Sequence, residues 1–256
     1  MEAPESDTDL SGNVAVVTGA SRRIGRATAL RLARAGADVV LHGHRARDEV
    51  EAVAAEVEAI GRRALVVMAD ITDEAAVEGM FRRIEAEAGG VDILVNNAAI
   101  RGEKPLLEMS LAEWRQTMAV IVDGTFLCSR EALRSMVARG GGSIVNIGGV
   151  TAHIGAARRA HVATAKAALG GLTRTLAVEF APHGVRVNCI VPGSIGGRRS
   201  ATAGAVPQMS KGSEDILLGR EGTVEEVAHV IASFCLPGAG YVTGQTVHVN
   251  GGVYMN

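Results

Sequence analysis

The sequence lacks long apolar segments and a strong excess of either charge. No apolar run approaches the roughly 20 residues that a membrane-spanning helix needs. The first segment, MEAPESDTDLSG, is acidic and polar and has neither the basic nor the apolar region of a signal peptide. The net charge at pH 7 is −2, so no global field favours nucleic acid or a membrane surface. We therefore expect a cytoplasmic protein that binds neither.

Cysteine is also scarce, and its placement excludes two classes of site. The three cysteines, Cys128, Cys189 and Cys235, lie far apart in apolar stretches. An odd number of dispersed thiols is typical of buried cysteines in a reducing compartment rather than of disulfides. No Cys or His pair has ligand spacing with a second pair to match it, so we expect no metal site.

What the sequence does contain is an alternation of two kinds of segment. Stretches such as 24–35, 48–60 and 74–88 carry apolar residues at helical spacing. Between such stretches lie short runs rich in β-branched residues, which predict strands: NVAVVTG, ADVVLHG, RALVVMAD, VDILVNNA, GSIVNIGG, VRVNCIVPG and QTVHVNGG. Strands that are apolar throughout and separated by helices predict a parallel sheet covered on both faces, an α/β fold.

The first strand leads into the glycine-rich turn TGASRRIG, residues 18–25, and then into a helix. Glycines allow the backbone to approach a pyrophosphate, and a helix N-terminus supplies N–H groups and a partial positive charge. Such a turn alone can be purely structural. Its position between a strand and a helix is the context in which it binds a dinucleotide.

Together with further motifs, this turn resembles that of the short-chain dehydrogenases/reductases, and the pattern is closest to the 3-oxoacyl-[acyl-carrier-protein] reductases. The resemblance implies a nicotinamide cofactor and a Rossmann-type, doubly wound, seven-stranded parallel sheet with helices on both faces. We expect one domain over 13–256, after a disordered leader at 1–12. The other matching motifs are Ala69-Asp70-Ile71, Asn96-Asn97-Ala98-Ala99, Asn146-Ile147-Gly148-Gly149, Lys166, Pro192-Gly193 and YVTGQTVHVNGG. The candidate cofactor-binding residues are Gly19, Ser21, Arg22, Arg23, Ile24, Gly25, His44, Arg45, Asp70, Ile71, Asn97, Ala98, Lys166, Pro192, Gly193 and Ile195. The resemblance implies that Asp70 and Ile71 flank the adenine and that Asn97 lies beside the cofactor ribose.

The end of the second strand indicates which nicotinamide cofactor is preferred. An NAD(H) site places an acidic residue there to bind the ribose 2′-hydroxyl, but this strand ends LHGHR and the first acid is Asp48. Arginine supplies the charged, bidentate donors that a 2′-phosphate needs. We therefore predict NADP(H) in preference to NAD(H), held by Arg45 and His44 with Arg22 or Arg23. The alternative is a basic loop that is simply solvated.

The catalytic positions depart from the family pattern. By the resemblance, the proton-donating Tyr stands four residues before Lys166, where this sequence has Val162. The family Ser follows the Asn of the fifth strand by three residues, which gives Gly149, and the family Asn falls at Ile121. Val and Ile offer no hydrogen-bonding side-chain atom. We therefore expect that the usual mechanism is lost and that Lys166 mainly binds the cofactor ribose.

Few side chains are available to replace the missing proton donor. His153 is the first candidate because it follows the fifth strand, with Thr151 beside it. His161 adjoins Val162 but points about 100° away from it on a helix. For each histidine, the alternative is a surface or interface position.

The stretch 193–214 has no clear periodicity, and in a compact domain such a loop is usually functional. Our hypothesis is a lid. Within it, Gly197 stands where the family often has a Thr that contacts the nicotinamide carboxamide. Five basic residues could hold an anionic substrate such as an acyl thioester carrier, or could simply be solvated: Arg158, Arg159, Arg198, Arg199 and Lys211.

Two functions from different classes fit these observations. The first is an NADP(H)-dependent reductase of a carbonyl or conjugated alkene, with non-standard proton delivery. The second is a catalytically inactive member that senses NADP(H) or serves an active homologue as a non-catalytic subunit. A third function, an isomerase or lyase that uses the same pocket, has no sequence feature in its favour. Residues 111–139, 162–180 and the last strand match surfaces by which relatives associate, so we predict a homotetramer, with a dimer as the next choice.

Overall fold

The computed structural model describes residues 7–196 and 216–255. Its seven strands form one sheet in the order β3-β2-β1-β4-β5-β6-β7, and every neighbouring pair is parallel. The strands are β1 (Val14–Val17), β2 (Asp38–Gly43), β3 (Ala64–Met68), β4 (Ile93–Asn96), β5 (Gly142–Ile147), β6 (Val185–Pro192) and β7 (Thr246–Val249). The predicted doubly wound fold is confirmed, with the order reversing between β1 and β4.

Helices connect the strands and cover both faces of the sheet. They are α1 (Arg23–Arg34), α2 (Arg47–Ala59), α3 (Glu74–Ala88), α4 (Leu111–Met118), α5 (Gly124–Arg139), α6 (Thr151–Ile154), α7 (Ala160–Phe180) and α8 (Val224–Cys235). A π-helical segment, Ala119–Asp123, joins α4 to α5. Local sequence sets several ends: Ser110 and Glu113 form a capping box at α4, and Gly89 ends α3 in the left-handed conformation.

Side chains of the sheet alternate between two hydrophobic layers. On β1, Ala15 and Val17 pack with α1, α2 and α8, whereas Val14 and Val16 pack with α3, α5 and α7. Burying each Val or Leu side chain contributes about 1.5–3 kcal/mol, so these layers hold the helices against the sheet. The carboxyl ends of the strands are thereby fixed relative to one another.

The structure differs from the predicted leader at its second half. Leu10 is buried and belongs to the layer formed with α1, and its backbone N–H donates to Ala35 O at 2.6 Å. Asp7 O accepts a hydrogen bond from the backbone of Gly238. Residues 7–12 therefore pack as part of the domain, because an apolar residue at position 10 completes its core. Residues 1–6 lie outside the described residues.

All three cysteines are buried and unpaired. Burial raises the pKa of Cys128 and Cys235 to about 12 and that of Cys189 to about 11, so none is a thiolate at neutral pH. Over 7–196 and 216–255, no helix combines the length and the apolar character needed to cross a membrane.

Candidate functional site

Residues from the sequence motifs meet at one edge of the sheet. The glycine turn follows β1, Asp70 follows β3, Asn97 follows β4, Gly149 follows β5 and Gly193 follows β6. Because the strands are parallel, their carboxyl ends lie together at this edge. Ligands of open parallel sheets bind there, at the point where the strand order reverses.

The glycine turn is held against the loop after β4. Gly19 has a φ of +64°, and a Cβ atom at this position would lie 3.0 Å from Ala98 Cα. Thr18 Oγ1 accepts hydrogen bonds from the backbone N–H groups of Asn97 (2.9 Å) and Ala98 (3.0 Å). Asn97 Nδ2 donates to the carbonyl oxygens of Thr18 (2.9 Å) and Gly19 (3.0 Å). Asn97, expected beside the cofactor ribose, thus uses its amide nitrogen to shape the turn.

Helix α1 begins directly after this turn. Its N-cap residue, Arg22, contributes no side-chain hydrogen bond to the helix end, and the first turn contains no acidic residue. The positive end of the helix dipole is therefore compatible with an anion such as a pyrophosphate.

Arg23 connects two loops of the site. Its φ of +50° lies in the left-handed region that favours glycine. Its Nη2 donates to Ile195 O at 2.9 Å and to Gly196 O at 3.4 Å. The side chain thereby ties the turn to the loop after β6.

Asp70 lies among hydrogen-bond donors and positive charges. It accepts from Thr72 N at 2.9 Å and from Thr72 Oγ1 at 2.7 Å. These bonds, followed by the charges of His44 and Arg45, hold the pKa of Asp70 below its usual value. His44 Nε2 lies 3.6 Å from Asp70 Oδ2. The ends of β2 and β3 therefore form a basic patch, His44 and Arg45, beside the carboxylate of Asp70.

The two arginines of the turn point to different places. Arg22 Nη1 lies 3.6 Å from Glu49 Oε2, in the first turn of α2, close in the chain to Arg45. Arg23 is directed to the loop after β6 instead. Of the two residues predicted to complete the 2′-phosphate clamp, Arg22 is the one on the side of Arg45.

His42, on β2, is a residue that sequence analysis missed. Its ring is buried, its Nδ1 accepts from Gly19 N at 3.2 Å, and its Nε2 lies 3.1 Å from Ala69 O. Burial lowers the pKa of His42 below its ordinary value. The available signal was a histidine inside an otherwise apolar strand, at the end that faces the site.

Lys166, on α7, extends its side chain to the end of β5, which belongs to the same edge of the sheet. Its Nζ donates to Ile147 O at the end of β5. Burial, and then the positive charge of Arg101, lowers the pKa of Lys166 to about 7. A Cβ atom on Gly149 would lie 3.7 Å from Lys166 Cγ, an ordinary contact, so a side chain at position 149 has room beside the lysine.

Comparison with known proteins agrees with this architecture. A family model described as "Enoyl-(Acyl carrier protein) reductase" matches residues 19–254. The 3-oxoacyl-[acyl-carrier-protein] reductase FabG of Aquifex aeolicus is 40% identical over 246 residues, which cover 96% of this chain and 98% of the relative. The short-chain reductase protein NovJ of Streptomyces niveus is 39% identical over 252 residues, covering 94% and 93%. The chain belongs to the short-chain dehydrogenase/reductase family.

Solved structures of this family superimpose closely on the chain. A short-chain type dehydrogenase/reductase from Mycobacterium marinum has a TM-score of 0.87 at 34% identity and covers 97% of this chain and 98% of its own. Acetoin dehydrogenase from Enterobacter cloacae has a TM-score of 0.86 at 37% identity, with 96% of each chain covered. The predicted resemblance to reductases of the FabG type is confirmed.

Positions 121 and 162, to which the family resemblance assigns Asn and Tyr, carry buried apolar side chains. Ile121 packs against Ala165 and Leu169 of α7. It lies in the π-helical segment, where Thr125 Oγ1 donates to Ile121 O at 2.7 Å. Such segments occur often at functional sites. Val162 is also buried, one helical turn before Lys166.

Arg101 is a second site residue that sequence analysis missed. It follows β4, and its positive charge contributes to the lowered pKa of Lys166. A basic side chain shortly after a strand of the binding edge was the available signal.

The two histidines considered as substitute proton donors have different surroundings. His153 is exposed, and its ring meets His248 of β7 at 4.5 Å and Tyr254 at 5.2 Å between centroids. His161 is buried, with Nε2 on the side of Gly102.

Arg159 differs from both interpretations given to it. Its side chain is buried and pairs with Glu103 at 3.2 Å, so it is neither solvated nor directed at a substrate. Arg158 is exposed with a φ of +62°. The charge pair instead joins the loop after β4 to the start of α7.

The loop after β6 packs against the end of β7 at the binding edge. A Cβ atom on Gly193 would lie 2.7 Å from Asn250 Cα, so glycine allows this loop to meet the end of β7. Most of the predicted lid lies outside the described residues, as do Gly197, Arg198, Arg199 and Lys211.

Proposed function

We propose that this protein is an NADP(H)-dependent oxidoreductase that reduces a carbonyl or a conjugated alkene, with proton delivery that does not use a tyrosine. The main support is the arrangement of the binding edge. It combines a glycine turn, an uncapped helix start and a basic patch with a lysine of lowered pKa.

The residues of the edge fit a dinucleotide. The turn at Gly19 and the start of α1 suit the pyrophosphate, and Asp70 and Ile71 lie where the resemblance expects the adenine. Lys166 suits the ribose hydroxyls. When bound, the nicotinamide supplies a hydride to the carbon that is reduced.

The basic patch supports NADP(H) over NAD(H). Arg45 and His44 stand where an NAD(H) site has an acid, and Arg22 lies on the same side. The nearby Asp70 is engaged with Thr72 and His44, so its charge is partly offset. A 2′-phosphate would meet donors there rather than a free carboxylate.

Lys166 is our candidate for the proton source. With a pKa of about 7, Nζ carries a proton in a large fraction of molecules at neutral pH, as a general acid requires. That proton can pass to the substrate oxygen as it becomes negatively charged, and solvent then restores it.

Two measurements on the full chain test this proposal. NADPH and NADH are first titrated against the protein fluorescence, and we expect NADPH to bind at least about tenfold more tightly. A panel of ketones, enones and acyl thioesters is then screened for NADPH oxidation above background. NADPH binding without any turnover would instead assign the chain to the inactive alternative. Failure to bind either cofactor would overturn the proposal.

We also propose that copies of this chain associate through α5 and α7, as a homotetramer or a dimer. An apolar groove between these helices is lined by Phe126, Leu133, Leu176 and Phe180. Phe126 is half exposed in the single chain, and Val178 is more so. Light scattering during size-exclusion chromatography tests the assembly, and a monomer at all concentrations would contradict it.

A further inference from the structure

We infer that His42 is a positioning residue of the nucleotide site: its neutral ring fastens the Gly19 turn to the end of β3. The inference deepens the proposed function, because it concerns how the cofactor edge keeps its shape. His42 lies within β2, beneath the edge rather than in it. It therefore acts on a cofactor only through the backbone groups that it holds.

The two partners of the ring define its protonation state. Gly19 N–H can only donate, so Nδ1, at 3.2 Å, must carry a lone pair. Ala69 O can only accept, so Nε2, at 3.1 Å, must carry the proton. The ring is consequently neutral, and it is the Nε2–H tautomer. Adding a proton to Nδ1 would place two N–H groups against each other.

The bonds of His42 join the two loops on which the proposed nucleotide site depends. Gly19 belongs to the turn proposed for the pyrophosphate, and Ala69 directly precedes Asp70. The backbone adds a parallel link, since Ala20 N donates to His42 O at 2.9 Å. Without the ring, the N–H of Gly19 would lack its acceptor, and the turn would be held mainly by Thr18 and Asn97.

The surroundings of His42 favour the neutral form. Burial is the largest influence and lowers the pKa, and the nearby His44 lowers it further. The hydrogen bond to Ala69 O and the charge of Asp70 act in the opposite direction. The net effect is a lowered pKa, so the link to Gly19 is intact at neutral pH.

Substituting His42 by asparagine or by glutamine tests its two hydrogen bonds separately. Asn carries its carboxamide oxygen at the same number of bonds from the backbone as Nδ1, so His42→Asn retains an acceptor for Gly19. Gln carries its amide nitrogen as far out as Nε2, so His42→Gln retains only a donor for Ala69 O. His42→Leu fills the space and makes neither bond.

NADPH titration of the full-length variants then distinguishes positioning from packing. If the acceptor for Gly19 matters, His42→Asn binds NADPH nearly as the parent does, and His42→Gln and His42→Leu bind about tenfold more weakly. If His42 only fills space, the smaller Asn variant is the weakest binder, and that order would overturn the inference. His229→Asn, an exposed histidine on α8, is the matched control and should leave binding unchanged.

A second measurement does not depend on cofactor binding or on any variant folding. Nitrogen-15 NMR of histidine-labelled parent protein at neutral pH should show a buried, neutral Nε2–H ring that remains neutral below the ordinary histidine pKa of about 6.5. Magnetisation transfer from Gly19 N–H to Nδ1 across the hydrogen bond identifies this ring as His42. An Nδ1–H tautomer, or an ordinary titration, would overturn the inference. Absence of NADPH binding with this signature present would reject the proposed function alone.

Discussion

The site has two sides: the nucleotide side, proposed to bind the cofactor, and the catalytic side, around positions 121 and 162. Side chains form hydrogen bonds on the first side and are apolar and buried on the second. On the nucleotide side, Thr18, His42 and Asn97 each bond to backbone groups of neighbouring loops. On the catalytic side, Ile121 is buried in an apolar cluster with Ala165 and Leu169, and Val162 is buried as well. Substitution of a hydrogen-bonding side chain on the nucleotide side would disturb the shape of the binding edge. Substitution of an apolar side chain on the catalytic side can alter the chemical groups of the site while the fold stays the same.

On the family resemblance, this difference would allow a member to keep the shape of the cofactor edge while its side chains at positions 121 and 162 change. The positions at 121 and 162 need only fill space between α7 and its neighbours, which Ile and Val do. The turn, by contrast, requires glycine at 19 because of its backbone conformation and the approach of Ala98. Lys166 stands between the two sides, and its removal should have the largest effect.

Lys166→Met should slow any reduction catalysed by the parent by about 100-fold or more, because it removes the proposed general acid. The rate in the parent should fall as pH rises above about 7, since Nζ then loses the proton that it must donate. Lys104→Met, which removes a surface lysine paired with Glu113, is the matched control. NADPH oxidation rates across the pH range provide the measurement. An unchanged rate in the Lys166 variant would move proton delivery to another group.

Adding polar groups to the catalytic side should produce the next largest effect. Val162→Tyr with Gly149→Ser is expected to raise the reduction of a ketone by about 100-fold, the usual value of one well-placed donor. Gly149 has room for the added hydroxyl beside Lys166. The assay is NADPH-dependent reduction of a small β-keto thioester. An inert double variant that still binds NADPH would show that the pocket has diverged beyond these positions.

Ile121→Asn, which would place the third polar residue of the family pattern, should lower the stability of the protein. Ile121 is fully buried against Ala165 and Leu169, so an Asn there places an amide among apolar side chains. We expect Ile121→Asn to lower the free energy of unfolding by about 1–3 kcal/mol unless the amide finds a partner. Denaturant unfolding of the triple and double variants measures the difference. No loss of stability would mean that the π-helical segment still offers such a partner.

The fold was predictable from sequence because its signals are local and repeated. Seven β-branched runs indicated the strands, and apolar spacing indicated helices such as those at 24–35, 48–60 and 74–88. The family resemblance implied the doubly wound order of the sheet. The site was only partly predictable. His42 and Arg101 owe their roles to partners on other strands and helices, and Arg22 and Arg23 were indistinguishable until the backbone conformation of Arg23 set its direction. Leu10 was missed because a single apolar residue in a polar segment carries no periodicity.

Removing a charge from the basic patch should have a moderate and selective effect. Arg45→Ala is expected to weaken NADPH binding about tenfold and to leave NADH binding unchanged, because only NADPH carries the 2′-phosphate. Arg47→Ala is the matched control, since Arg47 pairs with Glu51 along α2. Fluorescence titration with both cofactors measures the result. Equal weakening for the two cofactors would place Arg45 away from the 2′ position.

The smallest effect concerns the backbone of Arg23, where the two sides meet. Arg23→Ala and Arg23→Gly both lose the bonds to Ile195 O and Gly196 O, but only glycine adopts a φ of +50° without strain. The Gly variant should therefore be more stable than the Ala variant by about 1 kcal/mol, the usual cost of the left-handed conformation for a side chain with a Cβ. Thermal and denaturant unfolding measure this difference. Equal stability of the two variants would show that residue 23 leaves the left-handed conformation once the arginine is gone. The side-chain hydrogen bonds to the loop after β6 would then be what holds Arg23 in that conformation.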